Sequence, residues 1–409
     1  MLSYSELRDL TQEQTRAFYV FEQSLYEANV RAFQAELTQQ WQNSKVAYSY
    51  KTNYTPYICR LADELGVLAE VVSEMELWLA RKLEVPGERI IFNGPDKSEF
   101  ALREALLLGA YVNVDSLADL ERLLGVSAQL DDRVRNVGLR CNFPMYEGDA
   151  SRFGIDVDSV EFSEAIARIA RSGTLRLAGL HCHMPDRSVT SFRERSERLV
   201  ETAVRVFDEA PDYLNVGGGF FGAMPPALRE SLGVDPPSFA EYAAAITEPV
   251  ARQYGAGGDG PMLVVEPGTA LVANTFDYYC PVISLKTVGG RRIATVAGSI
   301  FNTSPHAKTR LLPVSVIRSE GSVAAATPET YDIAGNTCIE ADFLSLELNV
   351  DLEVGDYLAF SNVGSYSVVM KPPFIHPSVP ILTRSSDGGA WSVIKIAETP
   401  EYIFENFAW

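Results

Sequence analysis

Four short segments of the sequence carry groups that could perform chemistry together. In chain order they hold an amine at Lys51, imidazoles at His181 and His183, a run of glycines at 217–219, and a carboxylate at Glu266. Each segment follows or ends an apolar run of the kind that forms a buried β-strand. Because parallel strands present their carboxyl ends at one face, we expect these groups to converge on one site.

The lysine and the glutamate each allow two interpretations. A lysine at a strand end is commonly a solvated surface residue, but a desolvated lysine has a lowered pKa and can form a Schiff base with an aldehyde. Glu266 ends a very apolar strand, so its partly desolvated carboxylate needs a partner. That partner is either an arginine such as Arg140, in a structural ion pair, or a protonated pyridine nitrogen, which is a stronger electron acceptor than the neutral ring.

The glycines and the histidines are also ambiguous. The glycines at 217–219 form either a tight turn or a loop whose N–H groups approach a phosphate, and their spacing matches no nucleotide motif. His181 and His183 flank Cys182, and we expect only one imidazole to face the interior, where it can stack on a flat cofactor. We expect the other imidazole to be a core residue, so this segment predicts no metal site.

The elements that must position these groups repeat in a regular order. Eight apolar runs alternate with amphipathic helical patterns, at Val46–Tyr50, Leu68–Ser73, Arg89–Asn93, Tyr111–Asp115, Asn136–Asn142, Arg176–Met184, Tyr213–Gly218 and Met262–Glu266. This alternation predicts an α/β fold with a parallel sheet. The number of units favours a (β/α)8 TIM-type barrel, and a doubly wound open sheet is the alternative.

After residue 280 the helical periodicity fades and short β-type runs replace it. They lie at Val282–Lys286, Arg292–Ala297, Thr330–Ile333, Tyr357–Phe360 and Trp391–Ile396. This pattern predicts a mostly antiparallel β domain. We expect residues 22–280 to form the barrel and residues 1–21 and 281–409 to form the β domain.

Composition narrows the class of partner. The formal net charge is −19, without a basic run, which disfavours nucleic acid and anionic membranes as partners. The five cysteines are scattered and include no CxxC pair, so neither a disulfide framework nor a zinc site is predicted. We expect a cytoplasmic enzyme acting on a small molecule.

Six motifs in one order resemble those of a known family. They are Tyr-Lys-Thr-Asn at 50–53, His-Cys-His at 181–183, Val-Gly-Gly-Gly-Phe at 216–220, Glu-Pro-Gly at 266–268, Cys-Ile-Glu-Ala-Asp at 338–342 and Gly-Ser-Tyr at 364–366. With this order and spacing the chain resembles the fold-type III pyridoxal-phosphate (PLP) decarboxylases, which include the diaminopimelate, ornithine and arginine-type enzymes. The resemblance implies an alanine-racemase-like barrel plus a β domain, and PLP as the cofactor.

The resemblance assigns a cofactor role to each motif. It implies that Lys51 forms the Schiff base and later returns a proton to the substrate carbon, and that His183 stacks on the ring. Glu266 is similar to the carboxylate that holds the pyridine nitrogen. The phosphate is expected at Gly218, Gly219, Gly268 and Tyr366.

Further roles implied by the resemblance involve a second subunit. Cys338 resembles the cysteine that enters the site from the partner subunit and acts as an acid. Arg152 stands where the family usually has a lysine, and Asp342 stands where that lysine's partner lies across the dimer. The resemblance therefore implies a homodimer with shared active sites and an intersubunit salt bridge.

Three departures from the family pattern concern the substrate. Thr269 replaces the arginine that diaminopimelate enzymes carry after Glu-Pro-Gly, and Ile339 replaces an acid after the cysteine, with Glu340 one step later. The segment containing His306 and Lys308 replaces an Arg-Pro-x-x-Tyr type segment. We therefore expect a small amino acid or an amino-acid conjugate, and not diaminopimelate, with Thr269, His306, Lys308 and Glu340 at its distal group.

The expected activity is the decarboxylation of an amino acid to an amine and CO2. The main alternative is a PLP-dependent racemase on the same fold, which needs a second base on the opposite ring face. A non-catalytic PLP carrier is a further alternative, although such carriers resemble the barrel alone. In a cofactor-free glycosidase, Glu266 would instead pair with another carboxylate.

Overall fold

The computed structural model describes residues 2–13, 16–145, 151–255, 260–303, 312–319, 328–384 and 389–409. Its strands are β1 (Phe18–Phe21), β2 (Ser44–Ser49), β3 (Leu68–Val71), β4 (Ile90–Phe92), β5 (Tyr111–Val114), β6 (Arg135–Asn142), β7 (Ile155–Asp156), β8 (Leu175–His181), β9 (Tyr213–Asn215), β10 (Met262–Val265), β11 (Phe276–Val288), β12 (Arg291–Val296), β13 (Val314–Ile317), β14 (Glu329–Ala334), β15 (Phe343–Val350), β16 (Tyr357–Ser361), β17 (Ile381–Arg384) and β18 (Trp391–Lys395).

The α-helices are α1 (Tyr4–Glu13), α2 (Gln23–Gln40), α3 (Pro56–Glu64), α4 (Glu74–Lys82), α5 (Glu99–Leu108), α6 (Leu117–Ser127), α7 (Val160–Ser172), α8 (Val189–Val206), α9 (Pro226–Leu232), α10 (Phe239–Tyr254), α11 (Thr269–Val272), α12 (Ile300–Thr303) and α13 (Pro400–Phe404). Short 3-10 turns occupy Tyr50–Thr52, Gly87–Arg89 and Ala273–Thr275. Among the described residues, no helix combines the length and the apolar character needed to span a bilayer.

The chain divides into two compact units. The barrel unit comprises Glu27–Phe221 and Pro237–Ala270, and the β unit comprises Met1–Tyr26, Gly222–Pro236 and Leu271–Trp409. The boundaries expected from the sequence, at residues 22 and 280, stay a prediction.

The barrel unit contains a closed sheet of eight parallel strands. Their order is β5-β4-β3-β2-β10-β9-β8-β6, and pairing of β5 with β6 closes the ring. Each of the eight apolar runs predicted from the sequence overlaps one of these strands, so the predicted TIM-type barrel is confirmed and the open sheet is excluded. β7 adds a short parallel pairing outside the ring, along the end of β6.

Serine side chains begin most of the helices that follow the barrel strands. The N-cap serines are Ser73, Ser98, Ser116, Ser159, Ser188 and Ser238, and each accepts a hydrogen bond from a backbone N–H in the first helical turn. A serine at this position satisfies an N–H group that has no partner within the helix. Each cap fixes the residue at which its helix begins, and so sets the length of the loop between strand and helix that carries site residues.

The barrel interior changes from apolar to polar along the strands. One buried cluster lies at Ala47, Leu68, Ile91 and Val264. Two positions further along the same segments stand Ser49, Glu70, Asn93 and Glu266, and all four are buried. Because residues two apart share a face of a strand, the polar layer lies directly above the apolar one.

The β unit is built on a mixed sheet. Its main strand order is β15-β14-β12-β11-β1-β17-β18, and β16 joins β11 to β13. Most pairs are antiparallel, as the sequence predicts, but β1 pairs with β17 and β12 pairs with β14 in parallel. Its core contains a cluster of buried apolar residues from the first helix and from the sheet, including Leu7, Phe18, Val20, Tyr279 and Leu382.

Two glycines provide opposite tests of the packing in the barrel unit. A Cβ at Gly179 on β8 would lie 2.5 Å from Cδ1 of the Tyr213 ring, whereas a Cβ at Gly125 in α6 would meet nothing within 4 Å. Gly179→Ala should therefore lower the free energy of unfolding by about 1–3 kcal/mol through overpacking. Gly125→Ala should raise it by about 0.5–1 kcal/mol, because alanine is the better helix former. Urea denaturation measures both, and unchanged stability in Gly179→Ala would contradict the packing of Tyr213 against β8.

Candidate active site in the barrel

Lys51 lies immediately beyond β2, in the 3-10 turn at Tyr50–Thr52. Its Nζ is 2.5 Å from Oε2 of Glu70, which belongs to β3. The Glu70 side chain is 1% exposed and that of Lys51 is 32% exposed. The amine is thus held over the barrel by a buried acid while it stays accessible to a small molecule, which is the position that a Schiff-base lysine requires.

Glu266 follows β10 and is buried inside the barrel. Its Oε1 accepts hydrogen bonds from Nδ2 of Asn93 and from Nδ2 of Asn215, both at 2.7 Å. Burial by itself raises the pKa of Glu266, but His181, Lys51 and, to a smaller extent, His183 outweigh it and hold the pKa below its ordinary value. The carboxylate therefore stays ionised, as a partner of a protonated pyridine must be.

Arg140 is not the partner of Glu266. Its Nη1 lies 3.2 Å from Oδ1 of Asp115, and this oxygen also accepts a hydrogen bond from the backbone N–H of Gly154. The alternative of a structural Arg140–Glu266 ion pair is therefore excluded, and the hydrogen bonds to Oε1 of Glu266 come from the neutral amides of Asn93 and Asn215.

Both histidines of the His-Cys-His segment face the site, so the expectation that only one does is wrong. His181 Nε2 lies 3.4 Å from Oε2 of Glu266, and His183 Nδ1 accepts the Gly218 N–H at 3.0 Å. Residues two apart share a face of a strand, so Cys182, between them, is the residue that points away. Burial, then the charges of Lys51 and Arg195, lower the pKa of His183 well below its ordinary value, so its ring is neutral.

The glycine segments bring three loops close together. A Cβ at Gly218 would lie 2.2 Å from the backbone oxygen of Glu266, and a Cβ at Gly268 would lie 2.0 Å from Oγ1 of Thr52. Gly219 has φ +104 and has no side-chain or backbone atom nearer than 3.8 Å to its Cβ position. Gly218 and Gly268 are thus required for packing within the unit, while Gly219 leaves an open cradle of backbone that suits a phosphate.

Arg195 of α8 is a site residue that the sequence did not reveal. It is fully buried and donates to the backbone oxygens of Met184, Asp186 and Gly218, the first at 2.9 Å and the last at 2.8 Å. Burial lowers its pKa to about 10. One guanidinium therefore joins the loop after β8 to the glycine loop after β9. No clear sequence signal marks Arg195, because α8 carries several arginines and its buried face also includes Ser191 and Glu194.

The other residues missed by the sequence are polar groups buried in the barrel interior. They are Glu70, Asn93, Asn113, Tyr213 and Asn215, and each is buried. Four of them lie within strands, and Asn93 directly follows β4. A search for polar residues two positions beyond an apolar interior residue could have found them.

These groups fit a pyridoxal cofactor. The barrel offers an amine to an aldehyde, an ionised carboxylate to a pyridine nitrogen, a neutral imidazole to a flat ring and a glycine cradle to a phosphate. Oε2 of Glu266 is 3.4 Å from His181 Nε2, which is longer than a good hydrogen bond, and neither buried ring nitrogen of His181 makes a well-formed hydrogen bond within the described chain. The site thus keeps unused hydrogen-bonding groups beside Glu266, where the pyridine nitrogen of the cofactor would bind.

The remaining predicted residues lie elsewhere in the chain. Thr269 begins α11. In the β unit, Cys338 and Glu340 are exposed, and Tyr366 is half-buried with φ +59, a conformation that is rare for a tyrosine. His306 and Lys308 lie outside the described residues. The substrate and catalytic roles of these residues stay predictions.

Asp342 and Arg152 have local partners within this chain. Asp342 is buried and accepts hydrogen bonds from the Ile300 N–H at 2.8 Å and from the Thr337 hydroxyl at 2.6 Å. Arg152 is exposed, with its guanidinium 3.9 Å from the centre of the Phe153 ring. Their predicted salt bridge across a dimer stays a prediction.

A closed parallel barrel that brings together an amine, an ionised carboxylate, a neutral imidazole and a glycine cradle fits the class of pyridoxal-type enzymes. The family model for the pyridoxal-dependent decarboxylase pyridoxal-binding domain matches residues 26–273. The chain belongs to this decarboxylase family, as its motifs predict.

Similar proteins extend the match to nearly the whole chain. The diaminopimelate decarboxylase of Aquifex aeolicus is 26% identical, over 98% of this chain and 93% of the relative. That of Pseudomonas aeruginosa is 28% identical, over 86% and 83%. The solved diaminopimelate decarboxylase of M. jannaschii has the same fold, with a TM-score of 0.87 at 22% identity, covering 98% of this chain and 94% of that one.

These relatives overturn the expectation that diaminopimelate is not the substrate. That expectation was based on Thr269, Ile339 and the segment containing His306, which depart from the diaminopimelate pattern. A carboxylate accepts hydrogen bonds from any suitably placed N–H or O–H group, so a missing arginine does not exclude an acidic distal group. Local departures were therefore a weaker guide than similarity along the whole chain.

Arg195→Lys tests the link between the two loops. Lysine keeps the charge but lacks the fork of donors, so it cannot hold all of these backbone oxygens. We expect PLP to bind about tenfold more weakly, since hydrogen bonds to a charged group contribute about 1.5–3 kcal/mol. Absorbance titration of the apoenzyme measures this affinity.

The control is Arg193→Lys on the same helix, where the side chain is partly exposed and pairs with Glu248. This variant should bind PLP like the parent chain. Equal affinities in both variants would show that Arg195 does not shape the cofactor loop.

Proposed function

We propose that this enzyme uses pyridoxal 5'-phosphate to remove one carboxylate from diaminopimelate, giving lysine and CO2. The observation that carries the proposed chemistry is the connection of Lys51 to Glu266 through Glu70 and Asn93 at one end of the barrel. The proposed substrate is supported by the names of the relatives from Aquifex aeolicus, Bacillus subtilis and Methanocaldococcus jannaschii, all diaminopimelate decarboxylases.

The residues of the barrel divide the work of this reaction. PLP, when bound, draws electrons from the α-carbon of the attached amino acid, so that a carboxylate can leave as CO2. Lys51 holds or releases a proton at Nζ beside Glu70. Glu266 keeps the pyridine nitrogen protonated, and His183, neutral and fixed by the Gly218 N–H, offers a flat face. Burial of the polar layer strengthens these interactions because bulk water is excluded from it.

The proposal includes a homodimer with shared active sites. In it, Cys338 of one subunit supplies an acid to the site of the other, and Arg152 pairs with Asp342 across the interface. The exposure of Cys338 supports this role, since an exposed thiol is available to a partner. Tyr366 and Gly219 are proposed to hold the phosphate, and Thr269 and Glu340 to contact the distal part of the substrate.

We also propose a cytoplasmic location and a small-molecule partner. The thiols of all five cysteines are free, which suits a reducing compartment. The net charge of −19 disfavours nucleic acid as a partner.

The activity is tested with purified enzyme, PLP, and separate incubations with diaminopimelate, ornithine, lysine and arginine. We expect CO2 and the mass of lysine from diaminopimelate alone. Release of CO2 from ornithine or lysine, with diaminopimelate inert, would refute the substrate. Interconversion of enantiomers without CO2 would show a racemase.

Two variants test the assigned groups. Lys51→Ala should lose the visible absorption of the lysine-bound cofactor, because no amine remains to bind the aldehyde; an unchanged spectrum ends the Schiff-base assignment.

Glu266→Gln should lower kcat on the order of 10²-fold, because a neutral amide does not keep the ring protonated. Glu248→Gln, on the partly exposed face of α10, is the control and should leave kcat unchanged.

Mixing two inactive variants tests the shared sites. The two variants Lys51→Ala and Cys338→Ala are mixed and allowed to exchange subunits. If Cys338 serves the partner's Lys51, the mixture should regain roughly a quarter of the parent enzyme's decarboxylase activity. Random exchange makes half of the dimers mixed, and each mixed dimer contains one complete site. No recovery, with exchange confirmed by mass measurement of tagged subunits, would place Cys338 outside the partner's site.

A further inference from the structure

We propose that Asn93 is a positioning residue that couples the Lys51 side of the cofactor site to the Glu266 side, and that Asn113 and Tyr213 fix the direction of its amide. The inference concerns cofactor binding by this decarboxylase family member and does not depend on which amino acid is the substrate.

The Asn93 amide bridges two buried carboxylates. Its Nδ2 donates to Oε1 of Glu70 at 3.0 Å and to Oε1 of Glu266 at 2.7 Å. An amide nitrogen carries two hydrogens, so one group serves both acids. The reversed amide would set its oxygen against oxygens of two acids and cost both of these hydrogen bonds. The two acids thus demand a single orientation of Asn93.

The opposite end of the amide is fixed by a second chain of hydrogen bonds. Asn113 Nδ2 donates to Oδ1 of Asn93 at 2.8 Å, and the Tyr213 hydroxyl donates to Oδ1 of Asn113 at 2.6 Å. Burial raises the pKa of Tyr213 strongly, so this hydroxyl remains a donor. Every donor in the series Tyr213, Asn113, Asn93 therefore points toward the carboxylates. Such a series polarises its members in one direction and strengthens the last hydrogen bonds.

The barrel makes room for this series by omitting side chains on two neighbouring strands. A Cβ at Gly138 on β6 would lie 2.0 Å from the Tyr213 hydroxyl and 2.2 Å from Oδ1 of Asn113. A Cβ at Gly179 on β8 would lie 2.5 Å from the Tyr213 ring. Both glycines are thus explained by the space that Tyr213 and Asn113 occupy.

The bridge allows two negative groups to share the barrel interior. Glu70 is paired with Lys51, and Glu266 is left for the pyridine nitrogen. Without the shared amide, the charges would repel each other and one acid would tend to take up a proton. The charged and titratable groups that act on this pair from the surrounding elements are Lys51, Glu76, His181, His183, Cys182 and Tyr213.

Asn93→Asp is the sharpest test, because it keeps the shape and replaces two donors with a carboxylate. We expect PLP binding to the apoenzyme to weaken about tenfold or more, since a hydrogen bond to a charged group is lost. The added negative charge favours the protonated form of the nitrogen that joins Lys51 to the cofactor. The pH at which the visible absorption changes should therefore be higher than in the parent enzyme. The loss of affinity should shrink as the pH falls, because the introduced carboxyl group, once protonated, can again donate to one of the two acids.

Tyr213→Phe and Tyr111→Phe form a matched pair. The two rings touch edge to face, with centroids 5.2 Å apart, but only the Tyr213 hydroxyl ends the series of hydrogen bonds to Asn93. Tyr213→Phe should weaken PLP binding by a smaller factor in the same direction, and Tyr111→Phe should leave it unchanged. Circular dichroism checks whether Asn93→Asp folds. If it does not, Tyr213→Phe, which removes only one oxygen, still tests the proposal.

Parent-like affinity and an unshifted absorption titration in Asn93→Asp would overturn the proposal, as would equal effects of the two tyrosine variants. Both measurements use PLP without substrate. Failure of diaminopimelate as a substrate would therefore leave this result interpretable by itself.

Discussion

The barrel unit depends on the pairing of two carboxylates that are buried in its interior. An ionised acid inside a protein is stable only if cations or hydrogen-bond donors replace the water it has lost. Glu70 meets Lys51 and Asn93, and Glu266 meets Asn93 and Asn215. These partners come from separate strands or from the segments directly beyond them. The cofactor site therefore requires the barrel to close in one register, and an error of one residue in any of these strands would leave an acid without its donors.

Much of this arrangement could be predicted from the sequence, because parallel strands that are buried on both faces give apolar runs. Those runs located the eight barrel strands, and the groups directly beyond them included Lys51 and Glu266. Glu70 was not found because it lies within such a run, flanked by apolar residues. Asn93 and Asn215 were not found because their importance arises from contacts between strands far apart in the chain. A sequence read one segment at a time does not show these contacts.

The histidines show how a local rule must be applied. Side chains alternate between faces along a strand, so neighbours are separated and residues two apart are brought together. His181 and His183 therefore both approach the site, at Glu266 and at the glycine loop, and Cys182 is fully buried on the other face. In the β unit, the runs predicted five of the nine described strands, β11, β12, β14, β16 and β18, but not β1, β13, β15 or β17, and not the strand order. The placement of β1 between β11 and β17 pairs residues more than 250 positions apart in the chain, which no local pattern records.

The error about the substrate has a related physical origin. The groups that handle the cofactor hold one another in place, so each depends on the others and on the barrel register. Thr269 and Glu340, by contrast, lie outside the barrel strands, the former at the start of a short helix and the latter in an exposed segment. Such positions can change residue type without disturbing the polar layer. A threonine in place of an arginine therefore bears on how a distal group is held, and it says little about whether the reaction on that substrate can occur.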